Sequence, residues 1–122
     1  MGENFEIRVQ FNLESARHLP NLPQGHPCSK VHGHSFLVIL VLRGPLDPKI
    51  GWVRDYHEIL TQTEGLKKTL DHSLLNEIPG LENPTTEILT LYIFNELKKR
   101  IPELHQVIIR ETPTTECSYP IY

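Results

Sequence analysis

Four of the seven histidines, His18, His26, His32 and His34, crowd into residues 18–34 together with Cys28, one of only two cysteines. Imidazole nitrogens and a thiolate are the donors that zinc prefers, so a metal centre is the first chemistry this stretch suggests. His32 and His34 flank Gly33, and on a strand residues two apart face the same way, so both rings could reach one ion. The same pair is also compatible with two hydrogen-bonded strand histidines. Cys28 stands four positions before His32 in a loop with proline and glycine. It reads as a further zinc ligand, as a free thiolate beside the metal, or as a buried inert thiol. Further along, Asp71-His72 pairs a carboxylate with an imidazole, which suits proton transfer through a fixed tautomer but also suits a helix-end capping pair. Glu111 closes an apolar run, at a pocket mouth or at a solvated strand end.

These residues need elements to hold them. From Phe5 to Leu13 the odd positions are apolar and the even ones polar, the period of a half-buried strand. Leu19 to Lys30 carries three prolines and a glycine and reads as a loop. His32 to Leu42 is apolar on both alternating sets from Phe36 onward, which predicts a strand covered on both faces. Asp55 is placed to cap a helix whose apolar residues Ile59, Leu60, Leu66 and Leu70 recur at helical spacing, with Gly65 a weak point inside. Asn83-Pro84 signals a second helix start, with Ile88, Leu89, Ile93 and Leu97 on one face as far as Ile101. Gln106 to Glu111 and Cys117 to Tyr122 read as two final strands.

The order strand, strand, helix, helix, strand, strand predicts an α+β fold, an antiparallel four-stranded sheet with both helices on one face. The chain's 122 residues suit one domain spanning 1–122. A doubly apolar strand with helices on one side only makes self-association the economical cover for the other.

Composition excludes several classes of function. Charged residues make up 22% of the chain, the net charge is −3, and the twelve Lys and Arg residues form no basic block, so nucleic acid is not an expected partner. Met1-Gly2-Glu3-Asn4 opens no signal-like stretch and Phe36 to Leu42 is too short to span a bilayer. A cytoplasmic location away from membranes is expected, where two cysteines serve better as thiols than as a disulfide.

The run Pro23-Gln24-Gly25-His26-Pro27-Cys28-Ser29-Lys30-Val31-His32-Gly33-His34-Ser35-Phe36, with Gly51-Trp52-Val53, Leu70-Asp71-His72, Ile78-Pro79-Gly80-Leu81-Glu82-Asn83-Pro84-Thr85 and Glu111-Thr112, strongly resembles the bacterial 6-carboxytetrahydropterin synthases of the 6-pyruvoyltetrahydropterin synthase family. The resemblance covers nearly the whole chain. It implies the tunnelling fold, with trimers closing a barrel and two trimers stacking into a hexamer, and sites between subunits. It implies a lyase that converts 7,8-dihydroneopterin triphosphate to 6-carboxytetrahydropterin with release of triphosphate and acetaldehyde, on the route to queuosine. By the same resemblance zinc sits on His32 and His34, Cys28 is the base, and Asp71 orients His72. Glu111 and Thr112 meet the pterin ring, Thr85 and Thr86 complete its pocket from a neighbouring subunit, and Lys30 is a candidate for the triphosphate.

One position departs from the pattern. Relatives carry a third zinc histidine in a stretch like Ala-Ala-His-Arg-Leu-Pro, whereas this chain has Ser15-Ala16-Arg17-His18-Leu19-Pro20, so Arg17 holds the usual ligand position. A one-residue shift on a regular strand turns a side chain to the opposite face. The expectation is that a bulge near Ala16 returns His18 to the metal. The alternatives are that His26 or Cys28 fills the place, or that Arg17 replaces the ion in a paralogue that binds a pterin without the family reaction.

Overall fold

A computed structural model describes residues 3–122; Met1 and Gly2, where the stretch searched for a targeting signal begins, lie outside the described residues. Strands β1 (Asn4–Arg17) and β2 (His32–Pro45) come first, then helices α1 (Tyr56–Leu70) and α2 (Thr86–Lys98), then β3 (Leu104–Thr112) and β4 (Thr115–Tyr119). The four strands make one antiparallel sheet in sequence order, as the pattern of elements predicts. Among the described residues no helix is long and apolar enough to cross a membrane.

Alternation decides which face each strand buries. Leu13 of β1, Phe36, Val38, Leu40 and Leu42 of β2, and Val107 and Ile109 of β3 share one cluster with Ile59 and Leu70 of α1 and Leu89, Ile93 and Leu97 of α2. Both helices therefore cover the same sheet face. Each fully buried Leu or Phe contributes about 1.5–3 kcal/mol relative to exposure, so this layer is the main source of stability. On the other face Leu37 and Ile39 are half-buried, while Val41 and Ile108 are buried within the single chain.

Several boundaries differ from the sequence expectation. β1 continues past Leu13 to Arg17, in unbroken register with β2. Its apolar period stops at Leu13 only because the next inward positions hold Ser15 and Arg17, both buried. Helix α2 starts two residues later than Asn83-Pro84 suggests: Thr85 is its N-cap, and the Thr85 hydroxyl accepts the Ile88 N–H at 3.1 Å. The Asn83 carbonyl instead accepts the Thr85 N–H. β4 is Thr115–Tyr119 rather than Cys117 to Tyr122. Asp55 caps α1 as expected, accepting the His57 N–H at 3.0 Å, and Gly65 passes inside an unbroken helix.

The free edge of β1 is covered near its end. The Ala16 N–H donates to the Ser73 carbonyl, the His72 N–H to the Glu14 carbonyl, and Ala16 bridges Leu74 in parallel fashion. The segment that follows α1 is thus pinned beside the residues that precede Arg17.

Candidate active site

Register builds the centre of the site. In the β1–β2 ladder Arg17 lies opposite His32, Ser15 opposite His34, and Leu13 opposite Phe36. Directly opposed residues of an antiparallel pair point to one face, so Arg17, His32 and His34 emerge on the helix-covered side, just beyond the apolar core. The His32 and His34 rings meet edge-on with centroids 4.8 Å apart, and His34 lies 5.4 Å from the Phe36 ring.

The two imidazoles are held differently. The His32 Nδ1 is 2.7 Å from the Lys30 carbonyl, which can only accept, so the proton sits on Nδ1 and Nε2 carries the lone pair. That Nε2 is buried without a partner. His34 is held below its ordinary pKa by burial first, then by the Arg17 guanidinium and by His32, so it is neutral at neutral pH. Its Nε2 is 3.9 Å from Glu111 Oε1, beyond hydrogen-bond reach.

Arg17 closes the cluster. Its side chain is 4% exposed, and it donates to the Pro84 carbonyl at 3.1 Å, to Thr86 Oγ1 at 3.3 Å and to Glu111 Oε1. Its guanidinium carbon lies 5.3 Å over the Phe36 ring. Burial pulls its pKa below the ordinary value, with Cys28 and Glu87 opposing that pull, yet a guanidinium stays charged. Its Nε is a second buried atom without a partner.

Glu111 sits where β3 leaves register with β4, between Arg110 and Thr112. Such an irregularity frees a residue from cross-strand pairing and re-aims it. Its Oε1 takes the Thr86 hydroxyl at 2.9 Å as well as Arg17, and Thr86 reaches it within the same chain. Glu111, Thr86, Thr115 and Cys117 line a cavity of about 230 Å³. Thr112 points to other work: its hydroxyl bonds the Thr115 hydroxyl at 2.7 Å in the β3–β4 turn. Thr85 spends its hydroxyl oxygen on the helix cap.

The remaining expected residues lie apart from this cluster. Cys28 is half-buried in a short 3-10 turn, Pro27–Ser29; its N–H donates to His26 Nδ1 at 3.1 Å and its carbonyl accepts the Leu19 N–H at 2.9 Å. Lys30 is exposed. Asp71 and His72 do form a pair, Nδ1 to Oδ2 at 3.0 Å, on the opposite side of β1. The Asp71 carboxyl is held below its ordinary pKa mainly by the Glu14 N–H, which donates to its Oδ1 at 2.8 Å, and also by His72. His72 takes a left-handed backbone, φ 55°, and its side chain is 78% exposed. A cavity of about 570 Å³ opens there, lined by Glu14, Ala16, Gly33, Ser35, His72 and Ser73 among others. No hydrogen bond joins Cys28 and His72 among the described residues.

Sequence reasoning passed over three residues that hold these groups. Glu14 fixes Asp71 through its N–H and takes the Ser35 hydroxyl at 2.6 Å; Asn76 brackets His18 by accepting its N–H and donating to its carbonyl; Pro84 offers its carbonyl to Arg17. Two of these act through the backbone, where side-chain type carries no signal.

Zinc can be tested against this donor set. His32 has the tautomer of a metal ligand, with its other nitrogen on a backbone carbonyl. The third donor is missing from the cluster. β1 stays in regular register to Arg17, so no bulge brings His18 round, and His18 follows the strand end with its backbone clamped by Asn76. Among the described residues no three His, Cys, Asp or Glu side chains converge as a metal site. A catalytic zinc generally takes three protein ligands, and here a cation, Arg17, stands where the third would be. The residues present do not fit the ion.

The comparisons agree with this geometry in fold and in family. The family model described as 6-pyruvoyl tetrahydropterin synthase matches residues 6–121. The 6-carboxy-5,6,7,8-tetrahydropterin synthase of Synechocystis sp. is 33% identical over 119 residues, covering 93% of this chain and 91% of the relative. The enzyme of the same name from Bacillus subtilis is 27% identical over 128 residues, covering 95% and 85%. The structure of Caenorhabditis elegans 6-pyruvoyl tetrahydropterin synthase superposes with a TM-score of 0.90 over 99% of this chain and 98% of that one, at 23% identity, which speaks for the fold. With the match running through all four strands, both helices and Glu111, the chain belongs to the 6-pyruvoyl tetrahydropterin synthase family.

Proposed function

We propose that this member of a pterin-converting family is a lyase that takes 7,8-dihydroneopterin triphosphate and water to 6-carboxytetrahydropterin, acetaldehyde and triphosphate, supplying the precursor of queuosine. The observation that carries the reading is Glu111. One carboxylate oxygen is fixed by Arg17 and Thr86, and Oε2 has no partner among the described residues, beside a cavity. A carboxylate anchored in this way accepts the adjacent N–H donors of a pterin ring and rejects rings that lack them.

The side chain of the substrate then lies toward the rest of the cluster. Triphosphate loss and carbon–carbon cleavage both remove protons next to a ring that absorbs electron density, and the ring gains the two electrons that the carbon retained as carboxyl gives up. A base is needed, and Cys28 takes that role in this proposal. His32 Nε2 offers an acceptor for a substrate hydroxyl. His72, oriented by Asp71 and presented outward, serves the site of a neighbouring copy in a hexamer of two stacked trimers. Lys30, exposed on the loop, is left for the triphosphate.

A second reading is favoured by one observation, the buried Arg17–Glu111 pair: a chain that binds a reduced pterin and does not cleave it. Chromatography of the pterin product separates the two. The lyase yields 6-carboxytetrahydropterin, a 6-pyruvoyl-type enzyme yields a three-carbon side chain, and the binding chain returns the substrate intact.

A further inference from the structure

We infer that the His32–His34 cluster is a metal-independent site, in which the Arg17 guanidinium stands where an ion would and meets a ligand's hydroxyl together with His32. The inference holds whether the chain cleaves its pterin or only binds it, because it concerns what the cluster can hold.

Position comes first. Arg17 faces His32 directly across the β1–β2 ladder, on the same side as His34, so the guanidinium enters the space that both rings border. It is not a side chain that swings aside. Three acceptors hold it, the Pro84 carbonyl, Thr86 Oγ1 and Glu111 Oε1, and they come from the approach to α2, from α2 and from β3. Withdrawing it would leave the Glu111 carboxylate without its counter-charge and the Pro84 carbonyl without that donor. A divalent ion in the same space would meet only two imidazoles and a fixed positive charge, a combination that like-charge repulsion disfavours in a poorly solvated site.

The unpartnered atoms say what the cluster takes instead. His32 Nε2 is a buried acceptor and Arg17 Nε a buried donor, and neither has a partner. They belong to residues opposed across two strands. A hydroxyl is the group that can both donate to the first and accept from the second, whereas a carboxylate or phosphate oxygen could satisfy only the arginine. The chemical class that fits is therefore an alcohol, as on a polyol side chain, rather than an oxyanion or a metal.

The test is a metal titration on the whole purified chain. After incubation with excess zinc and desalting, elemental analysis of the wild type should give well under about 0.1 ion per chain, and cobalt(II) should give no tetrahedral visible band. Arg17→His should then acquire about one zinc per chain, lost again when His32→Ala is added. Arg17→Lys, which keeps the charge, should stay empty. Retention of about one zinc by the wild type, dependent on His32 and His34, would overturn the inference whatever the variants do. So would a folded Arg17→His chain that takes no zinc, because Arg17 would then not be what excludes the ion.

Discussion

Replacing Glu111 by glutamine removes one negative charge from a nearly buried arginine while preserving shape. The Arg17 side chain is 4% exposed and Glu111 26%, so water compensates little at the arginine end. Two unit charges about 4 Å apart interact by about 4 kcal/mol at the effective dielectric of a protein surface region. Glutamine keeps one carbonyl acceptor for Arg17, and the Pro84 carbonyl and Thr86 hydroxyl remain in place. The net loss should therefore sit below the full cost of breaking a buried pair, at about 2–3 kcal/mol against 3–5 for removing a partner outright. Urea unfolding at fixed protomer concentration measures it, with the midpoint shifted and the slope unchanged. Glu111→Ala should fall at the upper end of that range. Arg17→Met combined with Glu111→Gln should cost less than the sum of the two single changes, since no unpaired buried charge is left. A Glu111→Gln change of under about 0.5 kcal/mol, or strict additivity in the double variant, would refute the claim that this pair is coupled and desolvated. The same variant should weaken binding of a simple pterin more than tenfold, measured by fluorescence quenching, because with its one carbonyl on Arg17 the amide turns an NH2 donor toward the donors of the ring.

Three further outcomes follow from the geometry. Cys28→Ala should abolish turnover while leaving pterin affinity within about threefold, because a base acts on the transition state more than on the bound substrate; Cys117→Ala should be mild, and near-normal turnover of the Cys28 variant would remove it from the chemistry. Thr85→Ala should cost about 1 kcal/mol in thermal or urea unfolding and Asn83→Ala clearly less, since the Thr85 hydroxyl makes the cap bond; the reverse order would restore Asn83 as the cap. Asp71 has a folded-state pKa depressed by the Glu14 N–H and by His72, so its contribution is present above the unfolded carboxyl value near 3.9 and is lost as pH falls through the lower folded value. Asp71→Asn should therefore flatten the acid limb of the stability curve below about pH 4, and an unaltered limb would show that the contact does not matter to folding.

Much of this architecture is written in the chain's periodicity. Strict alternation from Phe5 and the doubly apolar run from Phe36 name β1 and β2, and helical spacing after Asp55 names α1 with its cap. The same alternation, carried past Leu13, already puts Arg17 on the face of His32 and His34. What hides the site is that its inward positions are polar. Ser15 and Arg17 break the apolar pattern although both are buried, and each is satisfied by a partner far along the chain, Leu70 for Ser15 and Glu111 for Arg17. No window of sequence contains both ends of such a contact. The start of α2 is hidden differently: the Asn83-Pro84 signal stands just before Thr85, and it is the Thr85 hydroxyl that makes the cap bond. Cys28 and His72 are each legible as reactive types, but the partners they bond within the single chain are their own neighbours, His26 and Asp71.

Cleavage of the pterin side chain, as proposed, releases two small molecules that can be counted in one reaction. Purified chain is incubated with 7,8-dihydroneopterin triphosphate, triphosphate is quantified by ion chromatography, and acetaldehyde is trapped as its hydrazone. The lyase should give equal amounts of the two, rising together with 6-carboxytetrahydropterin. Triphosphate released without acetaldehyde would assign the chain to 6-pyruvoyl chemistry, and neither product in the presence of measurable pterin binding would contradict the lyase reading altogether.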